Sequence, residues 1–189
     1  MGVRYVRAFD DAFTVEGDGR TVIGRIVPYG ETIDFYDMWT GEMKRERFVP
    51  GAFAKQSSPG AWSRVRLAHE HDDGFTNNLG YGRSIEDRED GAYATFRLYE
   101  PDAVKTREMI EHSHGGLSLE FEPRGREQTD ADGVVVRDNV HVHRVGITPD
   151  PAYRGAKVLG VRESDVERAP TPLLDDVRAM LAELRRGAP

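Results

Sequence analysis

The chain has 189 residues, 31% of them charged, with a formal net charge of −7 and no cysteine. That length suits one domain with a single core, and the missing cysteine excludes disulfides, thiolate zinc sites and a cysteine nucleophile. The acidic balance speaks against nucleic acid as main partner, because phosphate binding needs a basic face, and no apolar run approaches the roughly 18–20 residues that span a bilayer.

In chain order, Met1 to Arg7 lacks the apolar core of a signal peptide, and Val6 stands where myristoylation of Gly2 expects Ser or Thr. Thr14 to Glu16 and Thr21 to Val27 read as strands, separated by Gly17-Asp18-Gly19 and closed by Pro28-Tyr29-Gly30. From Glu46 to Phe53 a turn leads into a short helix. Arg64 to Ala68 alternates polar and apolar residues and delivers the chain to His69-Glu70-His71-Asp72. Asp73 to Asn78 is loop by composition, and Ile85 to Leu98 reads as two strands around Asp90-Gly91.

Pro101-Asp102 opens a helix that continues through Ala103, Val104, Arg107, Met109 and Ile110, since proline is tolerated in a first turn. Gly115-Gly116 ends it and starts a strand bearing Ser118. A hairpin around Asp130 to Gly133 follows, then a strand from Val140 to Ile147. Many short strands with few helices predict an α+β fold, mainly β, built as an antiparallel barrel or sandwich. This domain is expected to cover residues 1–162. Ala169-Pro170-Thr171-Pro172 marks a stiff linker over 163–172. In 173–189, Leu173, Leu174, Val177, Met180, Leu181 and Leu184 recur at helical spacing, which predicts an amphipathic helix. That helix either packs on the barrel or serves as a partner-binding or oligomerising tail.

All six histidines fall in three His-Xaa-His pairs, His69/His71, His112/His114 and His141/His143. On a strand, an i, i+2 pair directs both imidazoles at one surface. Two chemistries fit. In one, a neutral imidazole deprotonates Ser118 and a further group fixes its tautomer, with the glycine turn before Ser118 offering free N–H groups to an oxyanion. In the other, two pairs supply three or four imidazoles to zinc, with Glu70 or Asp72 as a further ligand or base. His112 and His114, at a helix end beside glycines, are expected to cap carbonyls or face solvent.

Several motifs recur in one order: Gly24-Arg25-Ile26-Val27-Pro28-Tyr29-Gly30, Phe48-Val49-Pro50-Gly51-Ala52-Phe53, His71-Asp72 with Leu79-Gly80, Gly116-Leu117-Ser118-Leu119-Glu120-Phe121, and Val145-Gly146-Ile147-Thr148 with Pro151-Ala152-Tyr153 and Ala156-Lys157-Val158. Over roughly residues 20 to 160 this order resembles the prohead (procapsid maturation) serine proteases of tailed bacteriophages, which are similar to the herpesvirus assemblins. The resemblance implies a closed antiparallel barrel of the assemblin type, ringed by helices. It implies an endopeptidase packaged inside the immature capsid in the host cytoplasm, cutting scaffold, the N-terminal extension of the major capsid protein, and itself.

By the same resemblance the catalytic histidine falls on His71 and the nucleophile on Ser118. The third member falls on His141, since assemblins use a second histidine on the strand after the serine; His143 and Glu120 are its alternatives. Many phage relatives instead carry an acidic residue near the position of Arg144, and glycine is frequent where this chain has Glu120. No cofactor and no metal are expected. The expected partners are capsid protein and scaffold as substrates, and further copies of the chain, with no membrane and no specific nucleic acid.

Overall fold

The computed structural model describes residues 14–15, 19–37, 40–58, 60–70 and 75–162. His71, Asp72, the linker at 163–172 and the helix expected at 173–189 lie outside the described residues. No helix among the described residues is long and apolar enough to cross a membrane.

The described residues build a mainly β structure with one short α-helix. Seven strands close on themselves: β2 (Thr21–Pro28), β5 (Arg66–His69), β6 (Asn78–Arg88), β7 (Gly91–Leu98), β8 (Gly116–Pro123), β11 (Val140–Thr148) and β12 (Lys157–Arg162). Around the barrel the order is β12-β2-β7-β6-β5-β11-β8, and a β12–β8 pairing at Lys157 and Gly116 completes the circle. A two-residue β1 (Thr14–Val15) adds outside, parallel to β12. Closure leaves few strand edges to recruit another chain.

The expectation of an antiparallel barrel needs correction, because β5 and β11 pair in parallel and the barrel is mixed. Parallel neighbours need a long crossover, not a hairpin. Here β6, β7, the helix and β8 all intervene between β5 and β11, so the direction of that pair is not set by any local turn.

Strand formation follows side-chain chemistry. β2 is rich in β-branched residues and β7 alternates core-facing with outward residues, and Val22, Ile26, Val27, Ala92, Ala94, Phe96 and Leu98 enter the core. The helix, α1 (Ala103–His112), buries Ala103, Thr106 and Ile110, spaced three and four apart on one face. Its first turn is preceded by a 3₁₀ turn at Glu100–Asp102 that contains Pro101. Its end is tied down by two amides, those of Ser113 and His114, both donating to the Met109 carbonyl.

A second sheet flanks the barrel: β3 (Ile33–Asp37), β4 (Glu42–Phe48), β10 (Val134–Arg137) and β9 (Gln128–Thr129). It joins the barrel through an aromatic cluster. Phe48 stacks on Phe53 at 5.5 Å and meets Phe121 and Tyr153 edge-on at 5.1 and 5.6 Å. The short helix expected after Pro50 is a single 3₁₀ turn at Ala54–Gln56.

Candidate functional site

Three adjacent strands, β5, β11 and β8, hold the residues of interest. Along β8, Leu117 points into the core, so Ser118 faces the outer surface and Glu120 shares that face. Ser118 stands opposite Gly146 of β11, which in turn stands beside Ala68 of β5. Glu120 stands opposite Arg144. The buried guanidinium of Arg144 donates to Glu120 Oε2 from Nη2 at 2.6 Å and from Nε at 3.2 Å. Two strand positions separate Ser118 from Glu120, about 7 Å along the backbone.

Gly146 has a specific reason to be glycine. A Cβ there would stand 2.4 Å from the Glu70 carbonyl oxygen. Glu70 is the one described non-glycine residue with a positive φ, 53°, and its amide donates to the Ile147 carbonyl at 2.9 Å. β5 therefore ends in a left-handed turn, and the chain crosses the sheet directly over Gly146, beside Ser118. His71 follows Glu70 in sequence.

The other pairs lie elsewhere. His141 stands opposite Glu122, four strand positions from Ser118, about 13 Å along β8. His143 sits at a bulge between Val142 and Arg144, and its ring meets that of His141 edge-on with centroids 4.9 Å apart. His143 Nε2 lies 3.6 Å from Glu122 Oε1. Desolvation, then the neighbouring His143 and Arg124, hold the His141 imidazole below its ordinary pKa.

The bulge has its own anchor. β5 begins opposite Arg144, so Val142 extends past it, and the Gln56 amide takes the place of a strand. Gln56 Nε2 donates to the Val142 carbonyl at 3.0 Å, and the Val142 amide donates to Gln56 Oε1 at 2.6 Å.

The structure thus brings Glu120 into the neighbourhood of Ser118 and leaves His141 and His143 farther along the strand. The glycine turn differs from expectation as well. The Leu117 amide, next after the glycine turn, donates to the Ala156 carbonyl, so that N–H is not open to an oxyanion. Sequence reasoning missed Arg144 as the Glu120 partner, because the bulge at His143 shifts the register and hides the match from counting. It missed Gln56 altogether, since a lone glutamine near a proline turn carries no periodic signal.

Nor do the histidine pairs converge as pairs. His69 instead meets His114, which is half-buried and whose amide donates to the Met109 carbonyl at the end of α1. Their Nε2 atoms are 3.4 Å apart, and His112 is exposed. In comparisons with known proteins, no family model and no curated protein matches the chain.

Proposed function

We propose that the chain is a serine endopeptidase of the prohead maturation type, with Ser118 as nucleophile, His71 as general base and Glu120 as orienting carboxylate. The observation that carries this reading is the crossing of Glu70 over Gly146. Glu70 lies against Gly146, the cross-strand partner of Ser118, and His71 is the residue next in sequence. An imidazole bonded to a serine oxygen on one side and a carboxylate on the other bridges about 7 Å. The Ser118–Glu120 spacing suits that span, and the distance to His141 does not.

In this reading His71 takes the Ser118 proton as Oγ attacks the scissile carbonyl. It then returns the proton to the leaving amine, and water releases the acyl group by the same route. Glu120 stabilises the imidazolium, and Arg144 positions the Glu120 carboxylate through Oε2. The substrates are the scaffold and the N-terminal extension of the major capsid protein, cut inside the immature capsid, together with the enzyme itself. The assemblin type of barrel is part of the same proposal.

The test is co-expression with capsid protein and scaffold, followed by mass spectrometry of the fragments. Ser118→Ala, which removes almost no volume, abolishes cleavage, a loss on the order of 10⁴–10⁶ in rate. Glu120→Gln loses on the order of 10⁴, while His141→Gln keeps parental turnover. Cleavage by the Ser118→Ala protein overturns the nucleophile. A crippled His141→Gln beside an active Glu120→Gln returns the orienting role to His141.

A further inference from the structure

The geometry points to a divalent transition-metal site of the zinc class, formed by His69, Glu70 and His114 at the end of the barrel where β5 stops and β8 begins. It does not depend on the protease reading. Ligand atoms of these three residues all lie within 4.8 Å of one another, and the two imidazoles are half-buried while Glu70 is exposed. The separation of the imidazole nitrogens discriminates between two uses of the pair. At 3.4 Å, Nε2 to Nε2, the contact is longer than the roughly 2.7–3.2 Å of a sound nitrogen hydrogen bond. Two nitrogens at about 2.0–2.1 Å from a tetrahedral zinc ion stand about 3.4 Å apart.

The surroundings of His114 favour the same use. Its Nδ1 lies 2.6 Å from Ser113 Oγ, and that hydroxyl reaches the Met109 carbonyl at 3.5 Å. In the tautomer protonated at Nδ1, Ser113 Oγ accepts from that N–H and His114 presents an Nε2 lone pair toward His69. An outer partner that fixes the tautomer of a ligating histidine is the usual arrangement at protein metal sites. The backbone holds all three residues in place. His114 is tied to the α1 end through its amide, His69 ends β5, and Glu70 is fixed by its bond to Ile147. Two imidazoles and one carboxylate leave a fourth tetrahedral position for water. An ion here would clip the α1–β8 connection to the end of β5.

Titration of the full chain with zinc by calorimetry, and with cobalt by visible absorption, tests the site. The expected result is one equivalent bound, tetrahedral-type cobalt bands and a raised melting temperature with metal. Glu70→Gln on the exposed ligand, His69→Gln and His114→Gln each weaken binding at least ~10-fold, and Ser113→Ala weakens it by about 10-fold. A His141→Gln/His143→Gln protein binds like the parent. The site is refuted if zinc produces no saturable heat, or if affinity survives Glu70→Gln and His114→Gln but is lost in the His141/His143 variant. Chelation leaves capsid-peptide cleavage intact if the serine mechanism holds, so failure of either idea is read separately from the other.

Discussion

Glu120 and Arg144 illustrate how side chains opposite each other on neighbouring strands form one ion pair, with Ser118 two positions from Glu120 on the same face. Arg144 is buried and its charge is met by Glu120, whose own side chain is 40% exposed. His141 belongs to a different electrostatic setting. Its depressed pKa means that the unfolded chain binds a proton more readily than the folded one. Stability from this source is therefore full above the unfolded value, about 6.5, and declines as pH falls below it. His141→Gln removes that penalty. Urea unfolding at pH 7.5 and pH 5.5 should show a smaller acid-induced loss in the variant than in the parent, and equal losses would refute the assignment. Individual residue types at the candidate site were legible in the sequence, because a serine after glycines and a histidine before aspartate stand out. Their company was not, since the bulge at His143 changes which residue faces which.

At the scale of elements, turns decide what the strands present. The left-handed Glu70 turn and the absence of a side chain at Gly146 act together, one bending the chain outward and the other giving it room. A methyl at 146 would collide with backbone, which cannot rotate away as a side chain tip can. Gly146→Ala should therefore displace the crossing and cost on the order of 1–3 kcal/mol in stability. If the proposed function holds, cleavage falls far more than the folded fraction does. Parental stability and parental cleavage in this variant would mean that the crossing has no such constraint. The hairpin of β6 and β7 and helix α1 were readable from alternation and from Pro101, both local signals. β6 begins seven residues earlier than its apolar alternation from Ile85, because Asn78 to Arg83 is glycine-rich and closely approached. Gly80, for instance, has room for no Cβ beside the Arg97 carbonyl.

For the whole molecule, a polar core lies beside the aromatic link between the flanking sheet and the barrel. Glu46 of β4 and Arg137 of β10 pair at 2.7 Å, with side chains only 6% and 7% exposed. Tyr153, on the connection from β11 to β12, donates to the other Glu46 oxygen at 3.2 Å, and burial, then the Glu46 charge, push its phenol pKa upward. Arg137 also lies over Phe35 of β3 and Phe121 of β8, which places the cation between the flanking sheet and the strand that carries Ser118. The β9–β10 hairpin of this sheet was legible from Asp130 to Gly133, but β4, Glu-Met-Lys-Arg-Glu-Arg-Phe, was not, because it looks like a solvated charge run when its buried pair is unknown. The direction of β5 against β11 was equally illegible, being a property of non-local pairing. A buried ion pair contributes little net stability, yet removing one partner leaves a bare charge in a poor solvent. Arg137→Met should consequently destabilise by roughly 3–5 kcal/mol. Adding Glu46→Gln, which keeps an acceptor for Tyr153 and removes the stranded charge, should recover most of that loss. The comparison is made by urea unfolding of the two variants against the parent. A double variant no more stable than Arg137→Met alone would show that the guanidinium acts by filling space between Phe35 and Phe121, and not by neutralising Glu46.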